Sequence, residues 1–363
     1  MNENKSIVFL HLSDLHIKGR KDISDEHIQK IIDTLKVYKK ITFNNVVIII
    51  SGDLTFSGKE YEFESVKKII GKLIFKINNT YNHSKCHILM VPGNHDVNHN
   101  EKPFSISELS ITGYNALENR EYMKLSEFYK IANYNHCFEN SEIYCCAKTL
   151  TIDGLKINVN LINNAIFSTF DEYKGQLYIP DDKIEFIKNS NAGSFSITIM
   201  HHSPDYYRDE IKNKLESEVI NNTDILFYGH EHNNAYKTTS YENGKRVIIQ
   251  SGGSLCNDGN WSNGSFCIGI LDIASKKYSF NKFLWNNHSK QYEHNDNTIY
   301  KIEREESEFK MSEDFSEYFY NNYNKDYYVF PHVLIHTQDD EKDKNTDDYS
   351  TFLTEITRYK VSV

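Results

Sequence analysis

Five short clusters of carboxylate, amide and imidazole side chains stand out in this 363-residue sequence: Asp14-x-His16, Gly52-Asp53, Gly93-Asn94-His95-Asp96, His201-His202 and Gly229-His230-x-His232. In the first, a carboxylate and an imidazole share one short loop and can turn toward one cation. In the second, a single carboxylate can bridge two cations, one per oxygen, while Gly52 lets the backbone pass close to a ligand. The third compresses an amide oxygen, an imidazole and a carboxylate able to orient that imidazole. Taken singly, each is more often a polar turn than a metal site. Five such clusters, each at the end of an apolar run, are very hard to obtain by chance.

The runs that precede them define the elements that must position these residues. Ile7 to Leu12, Val46 to Ile50 and His87 to Val91 are apolar and β-branched, so they read as strands covered on both faces. Periodic stretches from about Asp25 to Tyr38 and Lys59 to Ile77 read as the intervening helices. Strand, loop, helix in repetition predicts α/β layers with chemistry at the carboxyl ends of the strands. Further strands are expected at 143–151, 156–162, 195–201, 225–228, 246–250, 265–272 and 277–285. Between them, 98–144 reads as a helical, aromatic cap whose apolar positions Leu109, Leu117, Leu125, Phe128 and Ile131 belong to a core. Two facing sheets with helices outside is the simplest architecture.

The complete set resembles the signature of the calcineurin-like metallophosphoesterase superfamily over roughly residues 6 to 285. The resemblance implies a four-layer αββα sandwich with the cap insertion and a small C-terminal extension. It also implies a ligand set. Asp14, His16, Asp53 and His232 would hold a first divalent metal, and Asp53, Asn94, His201 and His230 a second. His95 would act as general acid or transition-state donor at the leaving oxygen, and Asp96 would orient its ring. His202 is not a ligand in that scheme.

Mixed imidazole and carboxylate donors suit two divalent ions of the Mn²⁺ type, with Fe or Zn²⁺ as substitutes, better than Mg²⁺ or Ca²⁺. A pair of ions about 3.5 to 4 Å apart acidifies a bridging water to a hydroxide nucleophile and neutralises phosphoryl charge. A phosphoester is therefore the expected substrate. Gly52-Asp53-Leu54-Thr55 with the late Gly229-His230-x-His232 looks like the branch containing bacterial class III cyclic nucleotide phosphodiesterases. A nucleotide-type phosphodiester follows as the first expectation and a DNA or RNA nuclease as the second. A non-catalytic scaffold is third, because such members typically lose ligands. The loop after Asp53 lacks the Val-Asp-Arg-Gly continuation of protein phosphatases.

Composition limits partners less than it first suggests. The net charge is −10, but residues 286–363 hold 9 Lys/Arg against 17 Asp/Glu, so the main domain is nearly neutral and nucleic acid is not excluded. That acidic, aromatic-rich stretch, 286–363, reads as a separate C-terminal module able to mediate self-association or to contact a partner protein. Within it, Glu313 to Tyr328 is too aromatic for a linker and Gln338 to Asp348 reads as a charged loop. No apolar run reaches the roughly 20 residues of a membrane span, and the polar start does not read as a signal peptide. A cytoplasmic location is the expectation. The six cysteines show no metal or disulfide spacing and read as buried thiols.

Overall fold

The structure is a computed structural model that describes residues 6–22, 24–38, 45–81, 85–99, 120–135, 137–138, 143–169, 172–180, 183–184, 195–232, 236–240, 246–256, 260–275, 277–301, 333–337 and 340–346. Three parallel strands form half of the first sheet: β1 (Ser6–Leu12), β2 (Asn45–Ser51) and β3 (Lys85–Val91). Two helices connect them. In α1 (Asp25–Leu35) the Ser24 hydroxyl accepts the His27 N–H at 3.3 Å, and Ile28, Ile31, Ile32 and Leu35 form the buried stripe. At the start of α2 (Glu60–Thr80), the Glu62 carboxylate accepts the N–H groups of Ser57 and Lys59 at 2.9 and 3.2 Å. Its apolar face is Phe63, Val66, Ile69, Ile70, Leu73 and Ile77.

After α3 (Ser126–Tyr134), the chain builds a second sheet from β4 (Cys145–Ile152), β5 (Leu155–Ile162), β6 (Phe195–Ile199), β7 (Ile225–Tyr228), β8 (Tyr236–Ser240) and β9 (Arg246–Ser251), with α4 (Asp209–Asn222) between β6 and β7. Its strand order is β4-β5-β6-β7-β9-β8. The chain then returns to the first sheet through β10 (Ser265–Asp272), β11 (Lys277–Asn286) and β12 (Gln291–Lys301), giving the order β12-β11-β10-β1-β2-β3.

The two sheets meet face to face. The Phe9 and Phe227 rings lie 6.0 Å apart, and the Tyr278 hydroxyl of β11 donates to Gln250 Oε1 of β9 at 2.7 Å. Helices α1 and α2 cover the outer face of the first sheet. On the other side, Val219 of α4 lines a cavity with Leu226 of β7 and Val247 and Ile249 of β9. The architecture is the αββα sandwich that the sequence predicts. Its core is continuous across both sheets and the helices.

Several boundaries differ from expectation. The first compact unit runs from Met1 to Glu303, because β12 pairs with β11 along its length, so the sheet extends past the predicted limit at 285. A second unit, Arg304–Val363, contains β13 (Val333–Thr337) paired antiparallel with β14 (Asp340–Thr346). The expected charged loop at 338–348 is therefore largely strand. In the cap, Leu125, Phe128 and Ile131 are buried as predicted, while Leu109 and Leu117 lie outside the described residues, as does the aromatic stretch 313–328. None of the six cysteines is in a disulfide, and five are buried. Among the described residues no helix is long and apolar enough to cross a membrane.

Candidate metal centre

All five motifs sit at the carboxyl ends of strands: the first three after β1, β2 and β3, the other two after β6 and β7. Main-chain hydrogen bonds tie their loops together. Asp14 N–H donates to Gly52 O at 3.1 Å, His16 N–H to Asp53 O at 3.0 Å, and Gly229 N–H to His201 O at 2.9 Å. The Ser254 hydroxyl, in the small-residue loop after β9, donates to Asp14 O at 3.1 Å.

The backbone is strained at the expected ligands. Among the described residues, positive φ occurs at seven non-glycine positions, and five of them are Asp14 (52°), His16 (45°), Asp53 (53°), His230 (69°) and His232 (53°). Such a left-handed conformation costs on the order of 1 to 3 kcal/mol per residue and persists only where the surroundings impose it. Two glycines make the approach of the loops feasible. A Cβ on Gly52, at φ +96°, would lie 2.3 Å from His201 Nδ1, and one on Gly93 would lie 2.2 Å from Asp53 Oδ1.

Two half-sites share Asp53. In the first, the His16 and His232 Nε2 atoms are 3.2 Å apart, and Asp14 Oδ1 lies 3.9 and 3.3 Å from them respectively. In the second, His201 Nε2 lies 3.1 Å from Asn94 Oδ1 and 3.3 Å from Asp53 Oδ2. His230 packs beside it, the two rings 5.2 Å apart. Asp53 Oδ2 also faces His16 Nε2 at 3.9 Å, so one oxygen of Asp53 looks into both half-sites. The other oxygen, Oδ1, accepts the His95 N–H at 2.8 Å. The expected division of one oxygen per cation gives way to a single shared oxygen. Asp14 follows the same plan, with Oδ2 accepting the His230 N–H at 3.2 Å and Oδ1 turned inward.

The donor chemistry requires positive charge at both places. The His201 Nδ1–H donates to Ser51 O at 2.7 Å, which leaves the Nε2 lone pair facing two oxygens that are themselves acceptors. Asp14 Oδ1 and Asp53 Oδ2 are buried and accept no hydrogen bond among the described residues. Burial of two carboxylates without compensation is costly, and a cation between the converging lone pairs removes the cost. Without an ion the His201 ring itself takes on that charge, as a proton in place of the Nε2 lone pair: burial opposes its charge, but Asp53 and Asp14 raise its pKa to about 10. Burial likewise opposes ionisation of Asp53, yet the imidazoles of His201, His16 and His95 hold it well below the usual carboxylate range. His230 is pushed down to about 2, first by burial and then by His202 and His201. All seven residues expected as ligands therefore lie around two adjoining, charge-deficient points, with His232 at the rim and 42 % exposed.

His95 stands at the edge of this centre, its ring 4.6 Å from that of His16. The Asp96 role needs correction. Its carboxylate accepts the N–H groups of Gly93, Leu54 and Thr55 at 2.9, 3.1 and 2.8 Å and the Thr55 hydroxyl at 3.0 Å. The ring of His95 is oriented by the Phe56 carbonyl, 2.9 Å from Nδ1. Asp96 locks the second loop onto the third, because a carboxylate two atoms from the main chain reaches neighbouring N–H groups more readily than the adjacent side chain. Asn164 belongs to none of the five motifs. Its amide oxygen accepts the His201 N–H at 3.1 Å and its Nδ2 donates to His202 O at 2.9 Å. The signal was present: Asn163-Asn164 is a polar pair directly after an apolar strand, as the ligand motifs are. His202 is fully buried and paired with Glu172, behind the second half-site.

The sequence profile of the calcineurin-like phosphoesterase family matches residues 7–234. No curated protein matches the chain. Similar solved structures include a dimetal phosphatase from Danio rerio, with 9 % identity over 82 % of this chain and 99 % of that one and a TM-score of 0.44. The calcineurin-like phosphoesterase YfkN of Bacillus subtilis is 14 % identical over 82 % of this chain and 91 % of that one, with a TM-score of 0.38. Vps29 of Chaetomium thermophilum is 12 % identical over 84 % and 99 %, with a TM-score of 0.33.

Proposed function

We infer that this chain, which belongs to the calcineurin-like phosphoesterase family, is a two-metal phosphodiesterase acting on nucleotide-type esters. The observation that carries the reading is Asp53 Oδ2, 3.9 Å from His16 Nε2 and 3.3 Å from His201 Nε2, a single unprotonated oxygen between two imidazole-lined half-sites. Asp14, His16, Asp53 and His232 would hold one divalent ion, and Asp53, Asn94, His201 and His230 the other; Mn²⁺ is the proposed occupant, with Fe or Zn²⁺ as substitutes. When bound, such ions supply Lewis acidity toward the phosphoryl oxygens and a water nucleophile at neutral pH.

The chain's own residues supply the rest. His95 Nδ1–H is held by the Phe56 carbonyl, so Nε2 is the ring atom proposed to pass a proton to the leaving oxygen. An unactivated alkyl phosphoester expels its alcohol as an alkoxide that needs that proton, so such a donor suits substrates whose leaving group cannot depart unaided. The hydrogen bond from His95 N–H to Asp53 Oδ1 fixes the proton donor and the shared carboxylate in one frame. The resemblance of the Gly52-to-Thr55 loop to cyclic nucleotide phosphodiesterases supports a nucleotide ester.

One observation favours the nuclease reading. Lys18 Nζ lies 4.0 Å from the centre of the Phe56 ring, and that ring is 5.5 Å from His95, so a cation and an aromatic surface flank the proton donor. Both features suit a nucleic-acid strand. Parallel assays of Mn²⁺-loaded protein on bis-p-nitrophenyl phosphate, cyclic nucleotides, single-stranded DNA and RNA separate the readings. Turnover of the small diesters alone supports the phosphodiesterase, strand cleavage supports the nuclease, and no turnover of any rejects both.

A further inference from the structure

A cavity of about 320 Å³ lies beside the second half-site, lined by Phe167, Thr169, Glu172, Gln176, Leu177 and Arg208. Its walls come from the segments that follow β5 and β6, the same carboxyl edge from which the His201 and His230 loops emerge. Glu172 connects the two places. Its carboxylate pairs with His202 Nε2, and the His202 ring lies 4.4 Å from that of His230. The volume is within the range of small-ligand sites, roughly 300 to 1,000 Å³.

The charges of this cavity are uneven. Glu172 is spent: Oε1 accepts the Thr169 N–H at 3.1 Å and the other oxygen faces His202, with the side chain 2 % exposed. Arg208 is half-buried, and its guanidinium makes no ion pair or hydrogen bond among the described residues. The acids that follow it, Asp209 and Glu210, are exposed in the first turn of α4. A guanidinium is always charged and presents a planar fork of donors matched to carboxylate or phosphate oxygens. Next to the apolar Phe167 and Leu177, water screens that charge less than at an open surface.

We propose that this cavity is a specificity subsite in which Arg208 receives an oxyanion of the substrate, a phosphate or carboxylate carried on the ester group remote from the scissile phosphorus. The proposal rests on the phosphodiesterase reading. Glu172 holds the wall of the subsite against His202, whose ring lies 4.4 Å from that of His230, so the subsite adjoins the second half-site through one intervening side chain.

The test uses three p-nitrophenyl phosphodiesters whose second ester group is phenyl, carboxyphenyl or phosphophenyl. Each is assayed with the Mn²⁺-loaded full chain as wild type, Arg208→Gln and Arg208→Lys. Wild type should prefer the anionic esters, and Arg208→Gln should lower the anionic-to-neutral ratio of kcat/KM about tenfold or more, chiefly through KM. Arg208→Lys should keep part of the ratio, and the two anionic arms show which oxyanion is favoured. The same ratio in wild type and Arg208→Gln overturns the subsite alone. Hydrolysis of none of the three esters by wild type overturns the phosphodiesterase reading and the subsite with it.

Discussion

The backbone N–H of His95 donates to Asp53 Oδ1 at 2.8 Å, so the third motif fixes the carboxylate of the second. With Oδ1 engaged, only Oδ2 can turn toward both half-sites, and the residue that positions the shared carboxylate is also the proposed proton donor. Asp14 repeats the arrangement with the His230 N–H. The ligand geometry is therefore built from main-chain contacts between loops, which side-chain substitutions at His95 or His230 leave in place.

That separation gives the first prediction. His95→Gln removes the proton donor but keeps its N–H on Asp53, so metal content should stay at the wild-type level while kcat falls by roughly 10² to 10⁴ for an alkyl leaving group. The fall should be much smaller for p-nitrophenolate, which leaves without a proton. Steady-state kinetics across a leaving-group series checks this; an equal loss for all leaving groups would remove His95 from that role.

Asp96 carries a structural load. Its carboxylate accepts four hydrogen bonds from Gly93, Leu54 and Thr55. Asp96→Asn replaces one acceptor oxygen by a donor and leaves buried N–H groups unpaired, at about 1 to 3 kcal/mol. Denaturant unfolding should show a loss of this size, and Thr55→Ala, which removes one bond of the set, a smaller one.

Acid stability is expected to depend on His11. This ring is buried between the sheets, 3.0 Å from Gln250 Nε2 and 2.8 Å from the Ser51 hydroxyl, and burial pushes its pKa from 6.5 to about 3. The unfolded chain takes up the proton first, so the contribution is intact above pH 6.5 and declines as pH falls toward 3. In chelator-treated protein, the wild-type unfolding free energy should fall more steeply than that of His11→Asn, by about 1.4 kcal/mol per pH unit in that window. Parallel slopes would mean that His11 is not held neutral.

The sequence reveals most of this centre because each ligand cluster follows an apolar strand, and both signals are local. What escapes it is set by tertiary pairing. β12 and β8 are edge strands of the two sheets, and Gln291–Lys301 is polar enough to pass for the start of a tail although it pairs along the length of β11. The partners of Asp96 and Asn164 are likewise invisible, since Asp96 reaches Leu54 and Asn164 reaches His201 across long stretches of chain. Sequence shows that these side chains are polar, while only the packed loops show which donors they face.

The most direct measurement is a Mn²⁺ titration of chelator-stripped protein that follows bound metal per chain and hydrolysis of bis-p-nitrophenyl phosphate together, for wild type and Asp53→Asn. Wild type should bind two ions per chain, with hydrolysis reaching its plateau only as the second site fills. Asp53→Asn, which keeps the amide-for-carboxylate shape but loses the shared charge, should fill at most one site tightly and lose at least about 10³-fold in turnover. Full activity at one ion per chain, or two tightly bound ions with wild-type turnover in Asp53→Asn, would contradict a centre built around the shared oxygen of Asp53.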